Sequence, residues 1–496
     1  MNRTTQSLIA VAVALGAVTG FAAFGGRDGT GGDGAKSAAH QPVERTSLLC
    51  PVPSGSDLAE TSYTAYTPKG SGGAAKGTAE LVPVTKALTD APKDDGKETK
   101  PFLTQKAPGE PAAGEESGAE APALIGTADG ALAPGWTVQQ TTTYAAGSGR
   151  GMQGTNCTAP DTDFWFPGAS TAKGRSDYIH LTNPDDSAAV VDVELFGPDG
   201  EVTSQVGDSI QVQPHSSVPV LLSTLADKQY PNLTMHVTAR SGRVAAAVQS
   251  SDDKLGGDWL PASADPADSL VLPGIPKDAT SVRLVAYAPG AEDADLKVQL
   301  ASPTGTITPA GHESLQVKSG MTAAVDLDDV TKGEAGSLLL TPTDKAVPVV
   351  AALRVTRGKG SKQETAFIPA TEAVGTRATV ADNRAKGSVL SLVAPGKSAR
   401  VKVTASAGTE GGTPASKTYT VKGGTTLEID HPPVPSGLKG AYALTVEPVS
   451  GGEVHASRML SRTDEGIPMF TVQTLPDDRG RVAVPTAERD LSVLQK

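Results

Sequence analysis

The sequence predicts an all-β protein built from tandem immunoglobulin-like antiparallel β-sandwich modules of roughly 100 residues each. Three observations predict it. Apolar and polar residues alternate over short runs, with Leu296, Val298 and Leu300 set against Lys297 and Gln299; this is the pattern of a strand with one buried face. Gly (55) and Pro (37) make up about 19% of the 496 residues, against roughly 12% in ordinary chains, which favours turns over helices. No stretch of the repeated region carries the 3.6-residue periodicity of an amphipathic helix.

The chain opens on a lone positive charge, Arg3, before an apolar run from Leu8 to Phe24. As a helix this run spans about 25 Å, slightly short of a ~30 Å hydrocarbon core. Small residues in Gly20-Phe21-Ala22 suit cleavage. Residues 1–25 therefore read as a signal peptide or an N-terminal membrane anchor, and either assignment places the remainder outside the membrane. No second apolar run of 18 residues follows, so membrane contact is expected only through residues 8–24.

Residues 26–45 are rich in Gly, Ala and Asp and read as a flexible linker. Residues 46–168 read as a degenerate β module. Its segment at about 86–122 is rich in Pro, Ala, Glu and Lys and is expected to be disordered, for want of apolar area to offset chain entropy. Cys50 and Cys157, the only cysteines, bracket this module. An even pair in an exported chain implies a disulfide.

Three clearer copies follow at 169–265, 266–372 and 373–476, with a tail at 477–496. Each copy runs through a similar series of strands, from Tyr178, Val282 and Val389 respectively. Trp165, Trp259, Phe367 and Phe470 recur at intervals of 94, 108 and 103 residues and read as aromatics closing successive modules. The expected arrangement is a rod of sandwiches; the alternative is a β-propeller-like arrangement of four units.

Leu181-x-Asn183-Pro184, the run Val190 to Leu195, Gly200 and the strand from Val244 look like β-sandwich repeats of bacterial surface proteins. The segment from Cys157 through Phe164-Trp165-Phe166 to Gly168, with Leu49-Cys50-Pro51, resembles an actinobacterial family of secreted proteins of unknown function. The resemblance covers about 45–475. It implies an exported β-sandwich protein and brings no catalytic residues.

Motifs for chemistry are sparse. Gly149-x-Gly151-x-x-Gly154 matches the dinucleotide fingerprint in letters, but Thr-Asn-Cys-Thr-Ala-Pro follows, and the fingerprint needs a helix there. It reads as a flexible loop. The seven histidines form no metal-binding spacing; His180, His236 and His455 fall in strands and are expected to face solvent. Paired acids such as Asp161/Asp163, Asp185/Asp186, Asp252/Asp253 and Asp328/Asp329 read as solvated turns. No nucleophile motif occurs. No catalytic, metal-binding or cofactor-binding residue is assigned, and no cofactor is expected.

The net charge of -12 with scattered Lys and Arg lacks the cationic footprint of nucleic-acid binding. Phe164, Trp165 and Phe166, with Trp259, Phe367 and Phe470, are the candidates for aromatic contacts or module joints. The function expected is a non-catalytic exported cell-envelope protein, a spacer, scaffold or binding module for an envelope protein or polysaccharide. The alternatives are an envelope enzyme or accessory acting on cell-wall polysaccharide, and a carbohydrate-binding protein.

Overall fold

A computed structural model describes residues 39–70, 76–84, 100–144, 146–147, 149–204 and 206–484. The Leu8–Phe24 run lies outside the described residues. Among those described, no helix is long and apolar enough to cross a membrane, and the only helical elements are two short 3-10 turns, Gly130–Leu132 and Leu222–Thr224. The strand Ala39–Pro42 pairs with Arg481–Val484 in a two-stranded sheet.

Residues 42–482 form one compact unit, and within it lie four β-sandwiches. In sandwich two, one sheet runs Asp163–Ala169, Leu233–Ser241, Ala189–Gly197, Gly200–Val202, with Ile210–Val212 also on Ala189–Gly197. The facing sheet runs Ser216–Leu221, Arg175–Asn183, Ala245–Asp252, Gly256–Leu260. All these pairings are antiparallel. The architecture is immunoglobulin-like, with a strand order of its own that recurs in sandwiches three and four and, in shorter form, in sandwich one. Alternation explains the packing: Val191, Val193 and Leu195 from one sheet meet Ile179, Leu181, Ala246 and Val248 from the other in one core.

Each sandwich has an opening strand in its first sheet and a closing strand at the edge of its second. The opening strands are Arg45–Cys50, Asp163–Ala169, Leu270–Ile275 and Ala378–Asn383; the closing strands are Gly151–Asn156, Gly256–Leu260, Lys362–Pro369 and Ile467–Thr474. The last three opening strands share a register shift. Gly168 (φ 105°), Gly274 (φ 84°) and Asp382 (φ 54°) stand within these shifts. Left-handed φ lets a bulge bend the strand there.

The sandwiches do not form a rod. The closing strand of sandwich one touches that of two, two touches three, three touches four, and four returns to one. The chain closes on itself as well: Val43 N–H donates to the Gly480 carbonyl at 3.1 Å. The arrangement is cyclic, as in a propeller, but each unit is a two-sheet sandwich instead of a single-sheet blade. A rod would leave the second sheet of each sandwich open on its outer face. Here that face carries apolar groups such as Phe367 and Phe470, which enter the cores of the preceding sandwiches.

Other expectations need correction. Sheet pairing places Trp165 on the opening strand of sandwich two, so it does not close sandwich one; that role belongs to Gly151–Asn156. Residues 100–122, expected to be disordered, contain the strands Leu103–Gln105 and Ala112–Ser117. Phe102 and Leu103 supply the apolar area, with Phe102 packing edge-on against Tyr63 at 5.3 Å. The part of that insertion at 86–99 lies outside the described residues. Of the expected linker at 26–45, residues 39–42 are strand and 26–38 lie outside the described residues.

Candidate functional site

The disulfide expected from the sequence is formed between Cys50 and Cys157, whose Cα atoms are 4.4 Å apart. It joins the end of the opening strand of sandwich one to the residue after its closing strand. Both cysteines are buried in that sandwich's core beside Tyr63 and Trp136. This core is smaller than those of the other sandwiches and contains polar groups: Thr61 and Thr142 hydroxyls meet at 3.0 Å, and Trp136 Nε1 donates to Gln105 at 3.1 Å.

The candidate aromatics are all buried. Phe164 and Phe166 stack at 6.4 Å and face the core of sandwich two. Trp165, one residue out of phase, points the other way. Its ring lies on His236 at 3.7 Å and on Tyr287 of sandwich three at 5.5 Å. Phe367 and Phe470 enter the cores of sandwiches two and three respectively, and Trp259 lies against His180 at 5.4 Å. These side chains fill cores and joints and present no open ring face for a sugar.

The richest polar constellation is one that sequence reasoning missed. It lies where the four closing strands meet. Asp258, on the closing strand of sandwich two, is fully buried. Its Oδ1 accepts from Gly154 N–H of sandwich one at 2.9 Å and from Thr471 Oγ1 of sandwich four at 3.0 Å. Its Oδ2 has no partner. Burial pushes the Asp258 carboxyl well above the usual range, and the negative charge of Glu364 adds to the shift.

Glu364, on the closing strand of sandwich three, is 1% exposed. Burial pushes its carboxyl up to about 8, with Arg150 acting in the opposite sense. Arg150 leads into the closing strand of sandwich one. Its Nη2 donates to the carbonyls of Lys254 (3.1 Å), Ser361 (3.2 Å) and Gln363 (3.1 Å), so one side chain ties sandwiches one, two and three. Nearby, Gln249 Nε2 donates to Gln153 Oε1 at 2.9 Å.

The glycine fingerprint gains its meaning here. A Cβ at Gly149 would run into Ser251 of sandwich two, at Gly151 into Glu364 of sandwich three, and at Gly154 into Gln473 of sandwich four. The spacing lets the turn and strand from Gly149 to Asn156 approach three neighbours closely. The only signals in the sequence were these glycines and an acid inside the strand ending Trp259-Leu260.

A carboxyl raised as Glu364 is suits a general acid, yet both it and Asp258 are enclosed. Two open clefts lie elsewhere. One of about 390 Å³ includes Lys277, Glu334, Lys422 and Glu428, and Lys277 Nζ is already paired with Glu428 (2.9 Å) and Asp430 (2.8 Å). Another of about 320 Å³ includes Arg45, Asp129, Asp185 and Arg243, and there Arg243 is bonded to Asp185. Among the described residues no three His, Cys, Asp or Glu side chains converge as metal ligands.

The paired turn acids have local partners. Asp185 holds Arg243, Asp186 meets His215 at 2.7 Å, Asp252 accepts the Lys254 and Leu255 N–H groups, and Asp329 accepts that of Lys332. The three strand histidines do not face open solvent as expected. His180 is 6% exposed and burial pushes it down to about 4. His455 is buried with Nδ1 at 2.9 Å from the Thr371 carbonyl. His236 lies under Trp165 with its nitrogens 3.1 and 3.0 Å from Glu194 and Asp163. The polar face of these sheets is turned toward a neighbouring sandwich, so alternation there does not mean exposure.

Fold and site together define an all-β protein of four sandwiches closed around an axis filled with polar side chains. The chain belongs to the Family of unknown function (DUF5719), whose model matches residues 112–432. The match begins inside sandwich one and ends inside sandwich four. No curated protein matches the chain.

Proposed function

We propose that this chain is a non-catalytic exported protein of the cell envelope that serves as a rigid scaffold or binding platform. The observation that carries the reading is the filled axis. Asp258 Oδ1, Arg150 and Thr471 place their hydrogen bonds between sandwiches, and Glu364 meets Arg150 across the axis, with both carboxyls enclosed away from any substrate. The buried Cys50–Cys157 bridge suits an oxidising compartment, and the Leu8–Phe24 run suits export.

Cell fractionation with protease accessibility tests the location: the chain is expected outside the cytoplasmic membrane with its disulfide formed. Recovery in the cytoplasm with free thiols overturns the export reading. A second reading, an enzyme acting on envelope polysaccharide, draws on the two buried carboxyls, Asp258 and Glu364, both raised by burial, because glycosidases use a carboxyl pair. Turnover of purified wall polymers that is lost in Asp258→Asn and Glu364→Gln, with folding retained, would establish it over the scaffold.

A further inference from the structure

The joint between sandwiches two and three leaves two arginines incompletely satisfied. Across the second sheet of sandwich three, Asp326 stands opposite Arg283, Arg283 opposite Arg354, and Arg354 opposite Phe367. Their strand neighbours Leu284, Leu353, Val355 and Ile368 lie in the core of sandwich three. Alternation therefore turns the row the other way, and Phe367 packs into the core of sandwich two. The row faces sandwich two.

Two arginines directly opposite each other repel. Arg283 is partly neutralised: its Nη1 donates to both oxygens of Asp326 at 3.0 Å. Its Nε, however, is buried without an acceptor. Arg175 reaches the same joint from sandwich two, 5.5 Å over the Phe367 ring, and its charge is taken by Asp177 through bonds of 3.1 and 2.7 Å. Arg354 is half-buried, and its side chain makes no hydrogen bond or ion pair among the described residues. Burial, then the charges of Arg175 and Arg283, push its guanidinium down to about 10, against the pull of Asp252 and Asp326. A half-buried cation beside like charges, next to an orphaned N–H, is an arrangement that an incoming anion relieves.

We propose that this joint binds an oxyanion, a carboxylate or a phosphate, through the Arg354 guanidinium with Arg283 Nε as a second donor. The planar fork of Arg354 suits two oxygens of one group. In a chain of net charge -12 such a local cationic spot selects acidic groups by short-range contact, since the overall field repels them. The proposal deepens the binding side of the platform reading by naming a ligand class. It needs only the purified chain, so its failure leaves the export reading standing, and failure of export leaves the binding measurement standing.

Calorimetric titration of the full chain with inorganic phosphate and, separately, with acetate at constant ionic strength tests it. Saturable binding of at least one is expected, weakened tenfold or more in Arg354→Gln and unchanged in Arg400→Gln, an exposed site in sandwich four. Binding of phosphate alone assigns a phosphorylated ligand, and binding of acetate alone a carboxylate ligand. A circular dichroism melt of Arg354→Gln confirms that the variant is folded. Absence of saturable binding of both anions, or equal binding by folded Arg354→Gln, overturns the proposal.

Discussion

Arg150 Nε lies 3.4 Å from Glu364 Oε1, joining sandwich one to sandwich three across the axis. The glutamate is 1% exposed, and the same arginine donates to three carbonyls of sandwiches two and three. Removing one partner of a buried pair leaves the other without compensation, at a cost of about 3–5 kcal/mol. Because Glu364 is held largely neutral near pH 7, Arg150→Ala is expected toward the lower end, about 3 kcal/mol. Urea unfolding compared with wild type measures it, and an unchanged midpoint would remove Arg150 from its place as the tie between sandwiches.

The axial carboxyls set a pH dependence of stability. The Glu364 carboxyl rises from 4.5 to about 8 on folding, and that of Asp258 rises from 3.8, so the folded state binds more protons than the unfolded state between these values. Their contribution is fully present below the unfolded pKa and is lost as pH rises toward the folded one. His180 acts in the opposite sense. Burial lowers it from 6.5 to about 4, so its contribution is lost as pH falls through that window. Between pH 6.5 and 8 Glu364 is still titrating, and unfolding midpoints are expected to fall. In Glu364→Gln the decline should flatten; an identical slope in variant and wild type would count against this assignment.

The disulfide closes a loop with a sequence separation of 107. By the chain-entropy relation such a loop contributes about 4–5 kcal/mol. Cys50→Ser with Cys157→Ser, or reduction, is expected to destabilise sandwich one selectively, since its core is the smallest and most polar. Hydrogen exchange should quicken in residues 45–158 before 270–369. Uniform loosening of all four sandwiches would contradict a local role.

Much of the strand pattern was legible because period-2 alternation is local. Leu296, Val298 and Leu300 announced a strand and form one; the cysteine pair announced a bridge. Sandwich one was harder to read, because Gln105, Gln140 and Thr142 stand at inward positions where the later copies place apolar residues. Its end point reads at Trp165 because an aromatic is a stronger local core signal than the glycine-rich strand Gly151–Asn156 that does close it. The axial site left almost no trace, since its members lie on strands about a hundred residues apart.

The sequence by itself determined the strands, the number of repeated units and the cysteine pair, because each depends on neighbours along the chain or on simple composition. Only the tertiary structure decided which polar faces are buried. His180 and Arg354 occupy outward strand positions, between the core residues Ile179 and Leu181 and between Leu353 and Val355, that would be solvated in an isolated sandwich. Closing four sandwiches on one axis replaces that solvent with another sandwich, and with it changes the hydrogen bonds and proton affinities of these groups.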